Sequence, residues 1–135
     1  MAQVLFEDAP VAYLRVAAAA LDRVEVRADA NLVWTYVTQA DLGRTGATMA
    51  DTDDLIDLVR MAREADVAAV LKQQRDGRFK VSLRSKGATD VGAVSAGFGG
   101  GGHRLAAGYT AGPGLEEDVD ALIAALRASG NGSKP

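Results

Sequence analysis

The segment whose residue types are best suited to chemistry is Phe98-Gly99-Gly100-Gly101-Gly102-His103-Arg104. Consecutive glycines carry no Cβ, so their backbone N–H groups can converge on an anion unobstructed. A neighbouring histidine can donate a hydrogen bond to a phosphate oxygen, and an arginine can add a charge-assisted one. The spacing is not that of a Walker loop, which ends in Gly-Lys-Ser/Thr, nor that of a dinucleotide fingerprint. On pattern alone two readings stand: a phosphate grip, or a flexible surface loop with an incidental histidine.

A second group precedes it. Arg78, Lys80, Arg84 and Lys86 alternate with Phe79, Val81 and Leu83, which predicts a strand with one basic face. Such a row suits a polyanion, although for Arg78 and Lys80 an ordinary solvated strand face is the preferred reading. Arg84-Ser85-Lys86-Gly87 falls where the strand gives way to a loop, a place from which a rigid element aims binding groups. A guanidinium can grip two phosphate oxygens at once. Two or three such contacts with some base stacking correspond to about micromolar affinity, near −8 kcal/mol.

Other chemistries fail on inventory. His103 is the only histidine and cysteine is absent, which excludes disulfides and thiolate metal sites. Asp51, Asp53 and Asp54 read as helix-start acids, as do Glu116, Glu117 and Asp118. Ser82, Ser85 and Ser95 share one candidate base, and it lies in the glycine run. Trp34, Tyr36 and Tyr109 could stack on a base; for Trp34 a core position is preferred.

The elements that must carry these groups follow from periodicity. Glu7-Asp8-Ala9-Pro10 reads as a helix start, with Pro10 in the first turn and Leu14, Ala17, Ala18 and Leu21 at helical spacing. Leu21–Arg27 and Leu32–Thr38 read as a hairpin across an Asp29-Ala30-Asn31 turn. Gly43–Ala50 reads as a loop. Leu55, Leu58, Val59 and Ala62 mark an amphipathic helix. Val67–Leu71 reads as a buried strand, Asp76-Gly77 as a hairpin turn, and Arg78–Ser85 as the alternating strand. Asp90–Phe98 fits either a short helix or a loop. A small-residue strand, Leu105–Thr110, and a helix over Glu116–Arg127 complete the chain. The expected architecture is a single α/β (α+β) domain, a mixed sheet of about five strands flanked by helices.

Composition sets the remaining bounds. The chain has 135 residues, 48% of them hydrophobic, with a formal net charge of −3. That is enough for one core and too acidic for non-specific coating of nucleic acid, which rests on many Lys and Arg contacts. A local phosphate pocket is compatible with it. No apolar run is long enough to span a bilayer, and Glu7 and Asp8 interrupt any signal peptide. The expectation is a cytoplasmic protein without a membrane partner.

Three segments together carry a resemblance: Phe79-Lys80-Val81-Ser82-Leu83-Arg84-Ser85-Lys86-Gly87, then Asp90-Val91, then Phe98 through Gly108. They resemble the DHH-associated C-terminal domain of DHH-family phosphoesterases, in particular that of bacterial nano-RNases, which are also oligoribonuclease and 3′-phosphoadenosine-5′-phosphate phosphatases. Leu5-Phe6-Glu7 and Trp34-Thr35-Tyr36-Val37-Thr38 with Ala40-Asp41-Leu42 fit the same family, so the resemblance covers about residues 4 to 127. It implies an interdomain linker helix over 1–22, a substrate-binding domain over 23–128 and a disordered tail over 129–135. It also implies that Arg84, Ser85, Gly100, Gly101, Gly102 and His103 bind substrate phosphate and base. The family's Asp-His-His motif is missing, so no catalytic or metal-binding residue is expected. Manganese would belong to a separate N-terminal DHH catalytic domain, and the chain reads as an excised domain, inactive alone. Expected partners are a short oligoribonucleotide or bisphosphonucleoside, the DHH domain, and a second copy in a homodimer. The alternatives are a structural, assembly-type domain, or a domain serving longer DNA or cyclic dinucleotides.

Overall fold

The computed structural model describes residues 9–130. Its centre is a six-stranded sheet in the order β1-β2-β3-β4-β6-β5. The strands are β1 (Glu25–Arg27), β2 (Leu32–Val37), β3 (Val67–Gln73), β4 (Phe79–Ser85), β5 (Gly101–Gly102) and β6 (Ala106–Thr110). Only β2 and β3 run parallel; every other neighbouring pair is antiparallel. A parallel pair needs a crossover, and here it contains α2 (Gln39–Thr45) and α3 (Leu55–Val59). The other helices are α1 (Val11–Asp22), α4 (Val91–Gly97) and α5 (Leu115–Ala128).

The sheet separates two apolar clusters. On one side Trp34, Leu71, Val81, Leu83 and Tyr109 pack with Val91 and Val94 of α4 and with Val119, Leu122, Ile123 and Leu126 of α5. On the other, Val33, Val37, Ala68 and Val70 pack with Tyr13 and Val16 of α1 and with Leu55, Ile56 and Val59 of α3. The second cluster draws on β2 and β3 and takes no residue from β4, β5 or β6. The helices on that side therefore cover half of the sheet.

Several elements differ from the expectation, each for a local reason. Pro10 is the N-cap of α1, its carbonyl accepting from Tyr13 N at 3.0 Å; the expected acidic start at Glu7 and Asp8 lies outside the described residues. The face α1 buries is Tyr13, Val16, Ala17 and Ala20, whereas Leu14 and Leu21 are exposed. An apolar helix with alanines all round offers several faces, and Tyr13 settles the choice by volume. The helix also runs on to Asp22, which shortens the expected first strand to Glu25–Arg27.

Helix α2 was not expected at all. Thr38 and Asp41 form a reciprocal capping box at its start, with Asp41 N donating to Thr38 Oγ1 at 3.2 Å and Thr38 N to Asp41 Oδ2 at 2.8 Å. The same carboxylate receives Arg23 Nη1 and Nη2 at 2.5 and 2.7 Å and Arg44 Nη2 at 2.7 Å. The Arg23 guanidinium holds the Asp41 carboxyl well below the usual carboxylate range, against the opposing effect of burial.

The sixth strand, β5, is made of glycines from the presumed loop and pairs Gly101 with Gly108 and Gly102 with Ala107. Asp90–Phe98 resolves as helix α4, capped by Asp90, whose Oδ1 accepts from Ala93 N at 3.0 Å. Of the tail expected over 129–135, Ser129 and Gly130 are described; Ser129 donates to Leu126 O at 2.6 Å and ends α5.

Candidate functional site

Strand β4 alternates as its sequence demands. Phe79, Val81, Leu83 and Ser85 are buried on the doubly covered side, and Lys80, Ser82 and Arg84 are at least partly exposed on the other. That second side is the half of the sheet without helices. Cross-strand register sets its rows. Lys80 lies between Lys72 and Thr110, Ser82 between Val70 and Gly108, and Arg84 between Ala68 and Ala106.

The β5–β6 hairpin extends these rows. Gly101 continues the Ser82–Gly108 row. His103 and Ala106 exchange backbone hydrogen bonds, N to O at 2.7 Å and 3.3 Å, which continues the Arg84–Ala106 row to His103. Arg84 and His103 thus stand two strand spacings apart, roughly 10 Å between backbones, with only an alanine between them. The floor beside them is Gly101 and Gly108. The result is a flat, nearly bare patch rimmed by a guanidinium, an imidazole, an ammonium and two hydroxyls. Arg84, Lys80 and Arg75 have no carboxylate partner among the described residues.

The glycines act differently from the nest their sequence implies. Gly99 N donates to Ala96 O at 3.0 Å, Gly100 N to Ser95 O at 2.9 Å and His103 N to Ala106 O. Those amides end α4 and close the hairpin, so they are not turned towards a ligand. Gly100 is needed for close approach, because a Cβ there would lie 2.2 Å from Gly108 O. Gly102 is needed for its φ of +142°. A Cβ on Gly101 would meet nothing within 4 Å; its side of the strand is open.

Ser85 is not brought together with Arg84. It is 3% exposed, and its Oγ accepts from Gly87 N at 3.0 Å and donates to Asp66 Oδ2 at 3.4 Å. Asp66 is the residue that sequence reasoning missed. Its carboxylate also accepts from Ala88 N at 3.2 Å and Thr89 N at 3.1 Å, and its carbonyl accepts from Lys86 N at 2.9 Å. It thereby fixes the corner after β4 from which Arg84 projects. Lys86 Nζ reaches Ala62 O at 2.5 Å, and Arg104 Nη2 reaches Gly87 O at 2.9 Å. These two cations pin the corner and the hairpin tip to the rest of the domain.

The aromatic candidates lie elsewhere. Trp34 and Tyr109 belong to the core of the covered side. Tyr109 stacks on Phe98 with ring centroids 4.5 Å apart, and burial pushes its phenol pKa up. Tyr36 stacks on Trp34 and lies beneath the Arg23 guanidinium. Among the acids, Asp51 pairs reciprocally with Thr48, accepting from Thr48 N at 2.8 Å while its own N donates to Thr48 Oγ1 at 3.3 Å, whereas Asp53 is 3.2 Å from Lys72 Nζ. Among the described residues no group of three or more His, Asp or Glu is placed to hold a metal. A cleft of about 570 Å³ between α4 and α5 is lined by Ala88, Thr89, Phe98 and Arg104 as well as by Ala125 and Ala128.

The comparisons with known proteins agree on the fold. The chain is 31% identical over 119 residues to the bifunctional oligoribonuclease and PAP phosphatase NrnA of Thermus thermophilus, covering 87% of this chain and 35% of that protein. It therefore spans about a third of the length of this curated relative. An exopolyphosphatase-related protein from Bacteroides fragilis superposes with a TM-score of 0.84 at 23% identity, over 92% of this chain and 36% of that one. A pGpG-specific phosphodiesterase from Vibrio cholerae does so with a TM-score of 0.61 at 15% identity, over 87% and 40%. The DHHA1 domain model matches residues 29–129, and the chain belongs to that family, the domain associated with DHH phosphoesterases.

Proposed function

We propose that this domain holds the phosphate and base of a nucleotide or short oligonucleotide on the open face of β4, β5 and β6. Arg84 grips a phosphate and His103 donates to the same or an adjacent one. Ser82 and the glycine floor take the sugar and base. The observation that carries the reading is the bare half-sheet on which Arg84 has no carboxylate partner among the described residues, its Nη1 reaching only the Leu83 carbonyl at 3.0 Å. The Thermus relative, an oligoribonuclease and PAP phosphatase, supports a short RNA or a 3′,5′-bisphosphonucleoside as ligand. Hydrolysis belongs to a metal-bearing DHH domain outside these residues, against which the open face would close; remote binding energy would then orient the scissile bond. The absence of cysteine suits a reducing cytoplasm, and among the described residues no helix is long and apolar enough to cross a membrane.

The test is an NMR titration with adenosine 3′,5′-bisphosphate. Shifts should gather at Arg84–Gly87 and Gly99–His103. Arg84→Ala should weaken binding by about 1.5–3 kcal/mol, the worth of a hydrogen bond to a charged group. An unshifted spectrum at millimolar ligand would sink the reading. One observation favours an added assembly role: Val11 and Leu14 of α1 are 60% and 59% exposed. Light scattering of Leu14→Lys, unchanged from the parent chain, would remove self-association from that role.

A further inference from the structure

A cavity of about 400 Å³ opens at the other end of the sheet, between β1, β2 and the start of α5. Trp34 and Tyr36 form part of its wall, and Glu25, Arg27, Glu116 and Asp120 line it with charge. Trp34 and Tyr36 belong to the cluster that α5 covers, so this cavity and the open face of β4 lie on different sides of the sheet. Glu25 is the register partner of Trp34, and cross-strand partners stand on one side. Glu25, Glu116 and Asp120 are exposed and have no ion-pair partner among the described residues. Arg27 is the single base, and Asp29 already holds it at 3.1 Å. Three carboxylates thus face one committed guanidinium. The macrodipole of α5 accounts for Glu116 in its first turn. It does not account for Asp120, beyond that turn, or for Glu25, which is on a strand.

The wall supplies an independent observation. Trp34 is 9% exposed, and its indole Nε1 has no hydrogen-bond partner. Leaving a buried N–H unpaired is costly, and an acceptor lodged beside the ring would relieve it. The rest of the cavity suits a guanidinium, which stacks on aromatic rings and engages carboxylates through its planar fork. The molecule already uses that chemistry nearby. Arg23 lies 4.6 Å from the Tyr36 ring centroid and forks onto Asp41 at 2.5 and 2.7 Å.

We propose that this cavity takes an arginine residue of a partner polypeptide. The guanidinium lies against the Trp34–Tyr36 wall and is held by the Glu25 and Asp120 carboxylates. The main-chain carbonyl of the same arginine accepts the Trp34 indole proton. The site is separate from the nucleotide face, so neither reading depends on the other.

The test is NMR of the full chain, in which Trp34 is the only tryptophan and its indole N–H gives a unique signal. The probes are N-acetyl-arginine methylamide, its lysine counterpart, and agmatine, which keeps the guanidinium and lacks the carbonyl. The arginine derivative should move the indole signal downfield, saturably, and bind about fivefold tighter than either other probe. Glu25→Gln and Asp120→Asn change exposed side chains and leave the core alone; each should weaken it about threefold to tenfold. Glu117→Gln, at an exposed acid of α5 outside the cavity, should leave it unchanged. A lysine derivative that binds equally well overturns the guanidinium assignment. Agmatine binding equally well overturns the assignment to a residue of a polypeptide and leaves a free organic cation as the ligand. No saturable shift, or the same loss in Glu117→Gln as in Asp120→Asn, overturns the site as a whole.

Discussion

One side of the sheet divides along the boundary between β3 and β4, and its halves have opposite chemistry. Over β2 and β3 the side chains are Val33, Val37, Ala68 and Val70, and α1 and α3 pack on them. Over β4 and β6 they are Lys80, Ser82, Arg84, Gly108 and Thr110, and the helices stop short. Both halves use the same strand geometry and the same alternation. What differs is whether burial is worth about 1.5–3 kcal/mol per side chain or would instead strand cations away from water. A sheet face can thus be mostly apolar and covered on one half and polar and uncovered on the other, the covered half keeping Thr35 and Lys72 as its buried polar side chains.

Adjacent residues on β4 offer the sharpest test of that division. Leu83, fully buried on the covered side, should lose about 2–5 kcal/mol of stability on replacement by alanine, read by urea denaturation. Its neighbour Ser82 should change by no more than about 0.5 kcal/mol. Similar losses for the two would mean that the open half is structural after all.

Asp41 gives the next largest effect, in the covered half. Asp41→Asn should cost about 2–3 kcal/mol, since the carboxylate serves two arginines and a helix cap. The sign of the pH dependence follows from its depressed pKa. The unfolded carboxyl titrates near 3.9, so the contribution is complete above about pH 5 and is lost as pH falls through the acid range below 4. The asparagine variant should lack that part of the acid limb. An unchanged acid denaturation curve would separate Asp41 from acid stability.

The glycines supply a third contrast. Gly100→Ala forces a Cβ to 2.2 Å from Gly108 O and 2.5 Å from Tyr109 Cβ, and should destabilise by about 1–3 kcal/mol. Gly101→Ala meets open space and should leave stability within about 0.5 kcal/mol, while weakening nucleotide binding severalfold by raising the floor. Were Gly101→Ala to bind as the parent does, the floor would not be in the site.

These contrasts also mark what could be read along the chain. The β4 alternation and the α5 stripe are local patterns, and they appear where the residues place them, whereas Asp90–Phe98, open between helix and loop, is settled as α4. The Arg84 end was reached through the strand alternation and then the resemblance, and the β5–β6 hairpin through neither, because four glycines have no apolar period to show a strand. Asp66 and the Arg23–Asp41 pair escaped notice because their partners lie 18 to 23 residues away. Helix α2 is a different failure: Thr38 and Asp41 have capping-box spacing, but Gly43 and Gly46 drew attention to a loop. The buried face of α1 was obscured by alanines on every side.

The ends of the sheet have a consequence for how the protein behaves in company. Its edge strands are stubs, β1 of three residues and β5 of two, beside inner strands of six and seven. Where β1 stops, Arg23 Nη1 donates to the Tyr36 carbonyl at 3.1 Å, and where β5 begins, Gly100 lies against Tyr109. Little free backbone is left for a foreign strand to zip onto, and unprotected edges are where sheets recruit one another into aggregates. Edge-to-edge strand pairing is therefore a poor route by which copies of this domain could recruit one another.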